Sequence, residues 1–339
     1  MPSSTPLTSI TLITSPYHVG LPPNNPLHTS RIASGPSYLL TSTSLLSTLH
    51  SLLPSLPIHT IELPPVLSTS EGEIGRSFEL LRRTSLAVSA ARQNSSFPII
   101  LAGNCLASVG VFAGLTSSSS LQTQKEKSEI GCIWFDAHDD YNIPDTILSG
   151  YFDSQGIAMM AGESWKALMA TVPGFVAPLD LKRVVHVGMR DVNELERGRV
   201  EGSEMGVVWG GEGSDERFAE RLGEEMKWRF GDGDEEEKGV LVHLDLDVLD
   251  VSVGKANGFA CAGGLVKDEL SACMRRIVER VTPLAMTVAS FDPFCDGEES
   301  AKRIGRPRAK PKPNISGTFD FDAFGPAMPS ISENQNSRA

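Results

Sequence analysis

The chain has 339 residues, of which 40% are hydrophobic and 21% charged, and its formal net charge is −12. This composition is ordinary for a globular protein with a substantial core, and the negative balance argues against a protein that binds nucleic acid over its whole surface. No basic group precedes an apolar run near the N-terminus, and no 18 apolar residues are consecutive, so we expect neither a secretory signal nor a membrane span. Five scattered cysteines without CxxC spacing favour reduced thiols and a cytoplasmic protein.

Short β-rich runs alternate with helical runs along the chain. Strands are predicted at 9–15, 97–104, 132–136, 183–191, 239–250 and 284–294, and helices at 72–92, 105–115, 214–230 (with Ser214 as N-cap) and 265–281. Strands that are apolar almost throughout and separated by helices indicate a parallel sheet covered on both faces. We therefore predict one α/β domain over residues 1–300, followed by a disordered, basic Pro/Ser-rich tail at 301–339.

Ionisable residues crowd the ends of two of these strands, in the segments DAHDD (136–140) and HLDLD (243–247). Since alternate residues of a strand share a face, the two carboxylates of HLDLD are predicted to point the same way. Either segment alone is also typical of a polar loop or of strand-end caps. Together they supply five candidate metal ligands: Asp136, His138, Asp140, Asp245 and Asp247. Oxygen-rich ligands of this kind suit Mn²⁺, as one ion or as two ions bridged by carboxylates.

A further histidine, His243, lies two residues before Asp245 in the same segment. At about 3.3 Å per residue it would lie roughly 7 Å deeper in the sheet. We therefore expect a core histidine hydrogen-bonded to the backbone, and not a ligand.

Several motifs, in order, resemble those of the ureohydrolase family, which comprises arginase, agmatinase, formimidoylglutamase and their relatives. DAHDDYNIP and LDLDVLD are similar to the family motifs DAHxDxNxP and [ST]xDxDxxDP. SRIASGP resembles an early substrate-site loop, and GMRDVNELE resembles a GxRDxxxxE segment. The resemblance covers residues 9 to 295. It implies a three-layer α/β/α fold around a mostly parallel eight-stranded sheet, and a trimer or hexamer.

The resemblance also implies a chemistry and a set of site residues. The family holds a binuclear manganese centre whose bridging hydroxide hydrolyses a guanidinium or amidine. Asp136 and Asp245 match its bridging carboxylates. The positions that match substrate contacts are Asn142 and Ser149 at the amino-acid end, and Asn193 and Glu196 facing the amino group. Asn193 replaces a carboxylate of the family, which argues against arginine itself as the substrate.

The chain departs from the family pattern at three places. Cys105, in AGNC, takes the position of a family histidine ligand. As a thiolate ligand it would shift preference toward Zn²⁺, Fe²⁺ or Ni²⁺. As a buried space-filling thiol it would leave a single ion bound. Ser290 replaces the family's catalytic glutamate, and no histidine follows the Ser-Gly at 149–150.

Two carboxylates are left as candidates for proton transfer, Asp153 and Asp292. We therefore predict a metal-dependent hydrolase of a small guanidino or formimidoyl compound other than arginine. The alternative is a catalytically weak or inactive arginase-like protein with a metal-binding or regulatory role.

Overall fold

Eight strands form one sheet in the computed structural model, which describes residues 7–295 apart from 24–30, 67–71, 118–128, 212–216 and 232–237. In chain order they are β1 (Ser9–Ser15), β2 (Ile58–Glu62), β3 (Ser96–Ala102), β4 (Gly131–Phe135), β5 (Val184–Val187), β6 (Gly206–Val208), β7 (Gly239–Asp245) and β8 (Thr282–Ala289). Their spatial order is β2–β1–β3–β8–β7–β4–β5–β6, and every neighbouring pair is parallel.

Helices cover both faces of this sheet. One face carries α1 (Gly35–Ser42), α2 (Leu45–Leu52), α8 (Phe218–Phe230) and α9 (Lys267–Val278), and the other carries α3 (Gly72–Gln93), α4 (Ala107–Ser117), α5 (Gly156–Met160), α6 (Lys166–Met169) and α7 (Glu194–Glu201). Alternation along each strand feeds both apolar layers: Ile133 and Phe135 face one, and Cys132 and Trp134 the other. The predicted three-layer α/β/α fold with eight strands is confirmed.

The six strands predicted from the sequence are the inner strands of the sheet. The two that were missed, β2 and β6, are its edges. β2 is largely exposed and β6 has only three residues, so neither has the continuous apolar run of a buried strand. The strand predicted at 239–250 is too long, because β7 ends at Asp245 and a 3₁₀ turn follows at Leu246–Val248.

Some predictions fall on parts of the chain that are not described. Ser214, the predicted N-cap of α8, and the tail at 301–339 lie outside the described residues, so the division into a domain and a tail stays a prediction. Within the described ranges, no helix combines the length and the apolar character needed to cross a bilayer.

At its carboxyl end, β3 passes very close to another part of the backbone. A Cβ atom on Gly103 would lie 2.1 Å from the carbonyl oxygen of Tyr17 and 3.1 Å from the Cα of Ala33. Because these neighbours are backbone atoms, they cannot rotate away as a flexible side chain would. Gly103 therefore lets the chain leave β3 toward the start of α4.

We expect Gly103→Ala to lower the free energy of unfolding by at least about 2 kcal/mol, because the added methyl group must displace backbone. Gly198→Ala is the matched control. Gly198 lies inside α7, where a Cβ would meet nothing within 4 Å, so alanine should stabilise by about 0.5–1 kcal/mol. Urea denaturation of both variants measures the difference, and equal stabilities would contradict the close approach.

Candidate metal centre

Two neighbouring strands, β4 and β7, direct side chains toward the same place. Trp134 lies opposite His243 in their register. Two residues further along, and on the same face, come Asp136 and Asp245. The face is covered by α4, and Cys105 lies just before that helix. The convergence therefore follows from strand alternation together with the turn after β3.

The converging side chains make two sets of donor atoms that share one carboxylate. The first set is Cys105, Asp136, His243 and Asp245, and the second is Asp136, His138 and Asp247. Within each set, one donor atom from every residue lies within 4.8 Å of the others. All of these residues are buried except His138, which is partly exposed. A carboxylate common to both sets is the arrangement expected for two bridged cations.

Asp247 reaches this cluster by a route that the sequence pattern did not indicate. It lies in the 3₁₀ turn after β7, and its backbone N–H donates to Asp245 Oδ1 at 2.8 Å. The prediction that the two residues share a strand face is therefore wrong. The turn nevertheless brings Asp247 Oδ2 to 3.5 Å from His138 Nδ1.

Asp140 belongs to neither donor set, yet its carboxylate is incompletely bonded. The residue is buried and has a positive φ of 44°. Its Oδ2 has no hydrogen-bond partner among the described residues. Burial, followed by the charges of Asp136 and Asp153, raises its pKa well above the usual value. A buried carboxylate oxygen without a donor is chemically suited to a cation.

Burial and mutual repulsion disfavour the ionised forms of the clustered groups. Burial first, and then the charge of Asp247, raises the pKa of Asp136 to about 6. The same two causes raise the pKa of Asp245 well above its ordinary value. Burial lowers the pKa of His138, but the charge of Asp247 and the hydrogen bond to Asp136 outweigh it and raise the pKa. Divalent cations would reverse these preferences, since they bind carboxylates and neutral imidazole.

The Cys105 thiol lies among the oxygen atoms of this cluster. Its Sγ is 2.7 Å from Asp245 Oδ2, 3.3 Å from Ser290 Oγ and 3.9 Å from Asp136 Oδ2. Burial, followed by the charge of Asp245, raises the pKa of this thiol well above its usual range. The polar contacts favour a ligand position over simple space filling. Together with the unpartnered oxygen of Asp140, these donors fit two divalent cations.

The two carboxylates predicted to transfer protons both hold backbone in place. Asp153 accepts hydrogen bonds from the N–H of Leu106 at 2.8 Å, from the N–H of Cys105 at 3.3 Å and from Asn104 Nδ2 at 2.8 Å. It thereby fixes the loop that carries Cys105, and burial raises its pKa to about 6.

Asp292 accepts from the N–H groups of Arg31 and Phe294, each at 2.9 Å. It belongs to neither donor set.

Three of the four predicted substrate contacts form one hydrogen-bonded group at the start of α7. Asn193 and Glu196 make a capping box there, in which each side chain accepts from the other's backbone N–H. Glu196 Oε1 also accepts from Asn142 Nδ2 at 3.2 Å. Ser149 lies apart from them, exposed, and its Oγ accepts from the N–H of Tyr151 at 3.2 Å. Helix capping alone accounts for much of this arrangement.

Sequence reasoning missed two residues that contact His138 and two that pack behind them. Asp191 Oδ2 lies 3.6 Å from His138 Nε2, and the Phe259 ring meets the His138 ring edge-on at 6.1 Å. Tyr151 packs against Phe259, and its hydroxyl lies 2.9 Å from His18 Nε2. Asp191 could have been found, because it belongs to the GMRD segment. The aromatic residues and His18 carry no motif, and only the fold assembles them.

One guanidinium joins the loops around the cluster. Arg190 donates hydrogen bonds to the backbone carbonyl groups of Gly188, Asp247, Val248, Leu249, Cys261 and Ala262. These carbonyls belong to the end of β5, the turn after β7 and the loop at 261–262. Arg190 therefore fixes the position of the turn that carries Asp247.

Comparison with known proteins places this architecture in a family. Residues 30–306 match the sequence model of the Arginase family. A similar protein is the arginase of Staphylococcus aureus strain MRSA252, 24% identical over 243 residues, or 67% of this chain and 72% of that protein. Another is the arginase of Brucella melitensis, 28% identical over 215 residues. That alignment covers 62% of this chain and 66% of the relative, slightly less than two thirds of its length.

Among solved structures, the native arginase of Bacillus caldovelox has a similar fold. It superposes with a TM-score of 0.72 at 20% sequence identity, covering 96% of this chain and 99% of that one. At this identity the likeness establishes the fold alone.

The raised pKa values predict how stability depends on pH when the cations are removed. Asp136 and Asp139 have folded-state pKa values of about 6 and about 7, whereas an unfolded aspartate titrates near 3.9. The native chelated protein thus holds protons that unfolding releases, so its free energy of unfolding falls as pH rises from about 4 past 7. We expect the melting temperature of chelated protein to fall between pH 5 and 8, and added Mn²⁺ or Zn²⁺ to oppose this fall.

Asp139→Asn is the control for this experiment, because Asp139 is buried but belongs to neither donor set. Its chelated form should show a shallower decline, since one titrating group has been removed. A chelated wild-type protein whose melting temperature rises steadily from pH 5 to 8 would contradict the crowding of buried carboxylates.

Proposed function

The chain belongs to the arginase family, and we propose that it is a metal-dependent hydrolase of C–N bonds in linear guanidino or amidine compounds. The observation that carries this proposal is the pair of donor sets that share Asp136. A pair of bound divalent cations supplies Lewis-acid activation of water at neutral pH. We propose that Mn²⁺ is the ion held by the oxygen-rich set containing His138 and Asp247.

Neighbouring side chains orient the proposed ligands. Trp134 Nε1 donates to Asp136 Oδ2 at 3.1 Å, and Asn257 Nδ2 donates to Asp247 Oδ2 at 3.1 Å. Asn257 also donates to the carbonyl of Ser290 at 3.0 Å, which ties the turn after β7 to the end of β8. Contacts of this kind fix carboxylate orientation and contribute to metal affinity.

The proposed substrate is a small cation that enters beside His138. The exposed Asp191 carboxylate and the Phe259 ring lie on that side of the cluster, and together they suit a planar, positively charged group. We propose a guanidino or formimidoyl compound other than arginine. Asn193, which stands where the family has a carboxylate, uses its Oδ1 to cap α7, so it offers little to an amino group.

Among the predicted proton-transfer groups, Asp153 supports the role better than Asp292. Its pKa of about 6 lies near the working range of a general acid or base at neutral pH. Asp153 also accepts from the N–H of Cys105, a member of the first donor set, whereas the backbone partners of Asp292, Arg31 and Phe294, belong to neither donor set.

The proposal includes a homo-oligomer, which the family resemblance implies. It also includes a cytoplasmic location, supported by the five cysteines, all within the described ranges, none of which forms a disulfide bond.

One observation favours a second candidate function, a metal-binding protein with little or no hydrolase activity. By the family resemblance, Ser290 replaces the catalytic glutamate, and its Oγ lies 3.3 Å from Cys105 Sγ. A hydroxyl at this place cannot pair with a guanidinium as a carboxylate does. Metal content together with turnover distinguishes the two candidates.

We expect metal-loaded protein to release urea, ammonia or formamide from at least one of agmatine, guanidinobutyrate, guanidine and formimidoylglutamate, and more slowly from arginine. Asp245→Asn should lower kcat/KM on the order of 100-fold or more and reduce bound metal, because it removes a ligand charge. Asp268→Asn is the matched control, since Asp268 is exposed in the first turn of α9.

Turnover that is unaffected by Asp245→Asn, or a wild-type protein that binds no metal, would contradict the hydrolase proposal. Metal bound tightly without turnover of any compound in the panel would favour the second candidate.

A further inference from the structure

His243 is a buried imidazole with one nitrogen that no described residue contacts by a hydrogen bond. The residue is fully buried, and its Nδ1 lies 2.8 Å from Ser108 Oγ. Its Nε2 has no hydrogen-bond partner among the described residues. Leaving a buried polar atom unpaired is costly because its hydration is lost without replacement, so such an atom needs a physical explanation.

The surroundings of His243 differ from those expected from the sequence. A ring nitrogen of His243 lies within 4.8 Å of Cys105 Sγ and of one oxygen each from Asp136 and Asp245. The expected separation of roughly 7 Å along the strand counted only backbone rise, whereas side chains in strands lean along the strand direction. The hydrogen bond of His243 goes to the Ser108 hydroxyl, where a backbone partner was expected.

A second buried histidine shows that an unused nitrogen alone is not enough. Both ring nitrogens of His186 lack partners among the described residues, and this residue is also fully buried. It lies on the opposite side of Trp134, in register with it on β5. Yet His186 belongs to no donor set in the described part of the chain. What distinguishes His243 is the thiol and the two carboxylates around it.

The contacts of the His243 ring suit a metal ligand. If Nδ1–H donates to Ser108 Oγ, the lone pair on Nε2 remains for a cation. Trp134 stacks on the imidazole with ring centroids 3.7 Å apart, which fixes the plane of the ring. The same indole donates to Asp136 Oδ2 at 3.1 Å. Trp134 therefore positions two members of the donor set at once.

We propose that Cys105, His243, Asp136 and Asp245 form a zinc-class site, distinct in chemistry from the oxygen-rich set at Asp136, His138 and Asp247. One nitrogen, one sulfur and two carboxylate oxygens would supply four donors, the number that Zn²⁺ favours in proteins. Sulfur and nitrogen donors also bind Zn²⁺ more tightly than Mn²⁺. The two cations of the proposed hydrolase would then be different elements, zinc in one set and manganese in the other. This pairing of two metals rests on the proposed function.

The test is the metal content of chelated protein that has been reloaded with one equivalent of Zn²⁺ in an excess of Mn²⁺ and then dialysed. We expect about one zinc and about one manganese per chain in the wild type, as measured by inductively coupled plasma mass spectrometry. His243→Gln and Cys105→Ser should each lower zinc affinity at least about tenfold while manganese is retained. His186→Gln is the matched control, since it also removes a buried imidazole from this face, and it should retain both metals.

Cobalt substitution of the wild-type protein gives a readout that needs no variant to fold. One equivalent of Co²⁺ should produce a thiolate-to-cobalt charge-transfer band and intense tetrahedral visible bands. In Cys105→Ser the charge-transfer band should disappear. In His243→Gln the band should persist at higher cobalt concentration, with altered visible bands.

The outcomes separate this inference from the proposed function. Two equivalents of manganese that resist displacement by zinc, or unchanged zinc affinity in His243→Gln, would overturn the zinc-class site and leave the hydrolase proposal standing. Zinc bound through Cys105 and His243 without turnover of any amidine would uphold the site and contradict the hydrolase. A wild-type protein that binds no cation would overturn both.

Discussion

Four buried carboxylates at the carboxyl end of one sheet dominate the physics of this molecule. Asp136, Asp140, Asp245 and Asp247 are each at most 6% exposed, and like charges at such depth repel strongly. The described hydrogen bonds compensate them only in part, because Asp140 Oδ2 receives none. Without cations the protein must keep some of these groups protonated. The fold therefore has a centre whose charge can be balanced only by protons or by cations.

The parallel topology creates this centre and also confines it. β3, β8, β7 and β4 are the four central strands of the sheet, and they all end at the same edge. Arg190 joins two of the loops at this edge, because it bonds to the carbonyl of Gly188 after β5 and to carbonyls at two places in the connection between β7 and α9. Asp153 fixes the loop between β3 and α4 in a similar way. Rigid backbone around a set of ligands is what allows like charges to stay close.

The sequence predicted the inner part of the molecule better than its edges. Buried strands such as β4 have continuous apolar runs, and five of the six predicted ligands lie in the two donor sets. Edge strands β2 and β6 lack that pattern and were missed. Apolar residues continue past Asp245, so the sequence did not indicate that β7 ends there. Asp247 therefore lies in a turn, where a strand was predicted. The depth of His243 was misjudged because backbone rise alone does not determine where a side chain ends.

The two donor sets differ in burial, so that one forms the inner half of the centre and the other forms its outer half. Every residue of the set with Cys105 and His243 is buried, whereas the His138 side chain is 27% exposed and faces Asp191 and Phe259. A cation in the inner half would exchange slowly, because release requires the surrounding side chains to move. The partly exposed His138 places the outer set within reach of solvent. In the proposed hydrolase, a cation at the inner set would favour the ionised form of Asp136, which Trp134 orients, and the residues beside His138 would determine what binds.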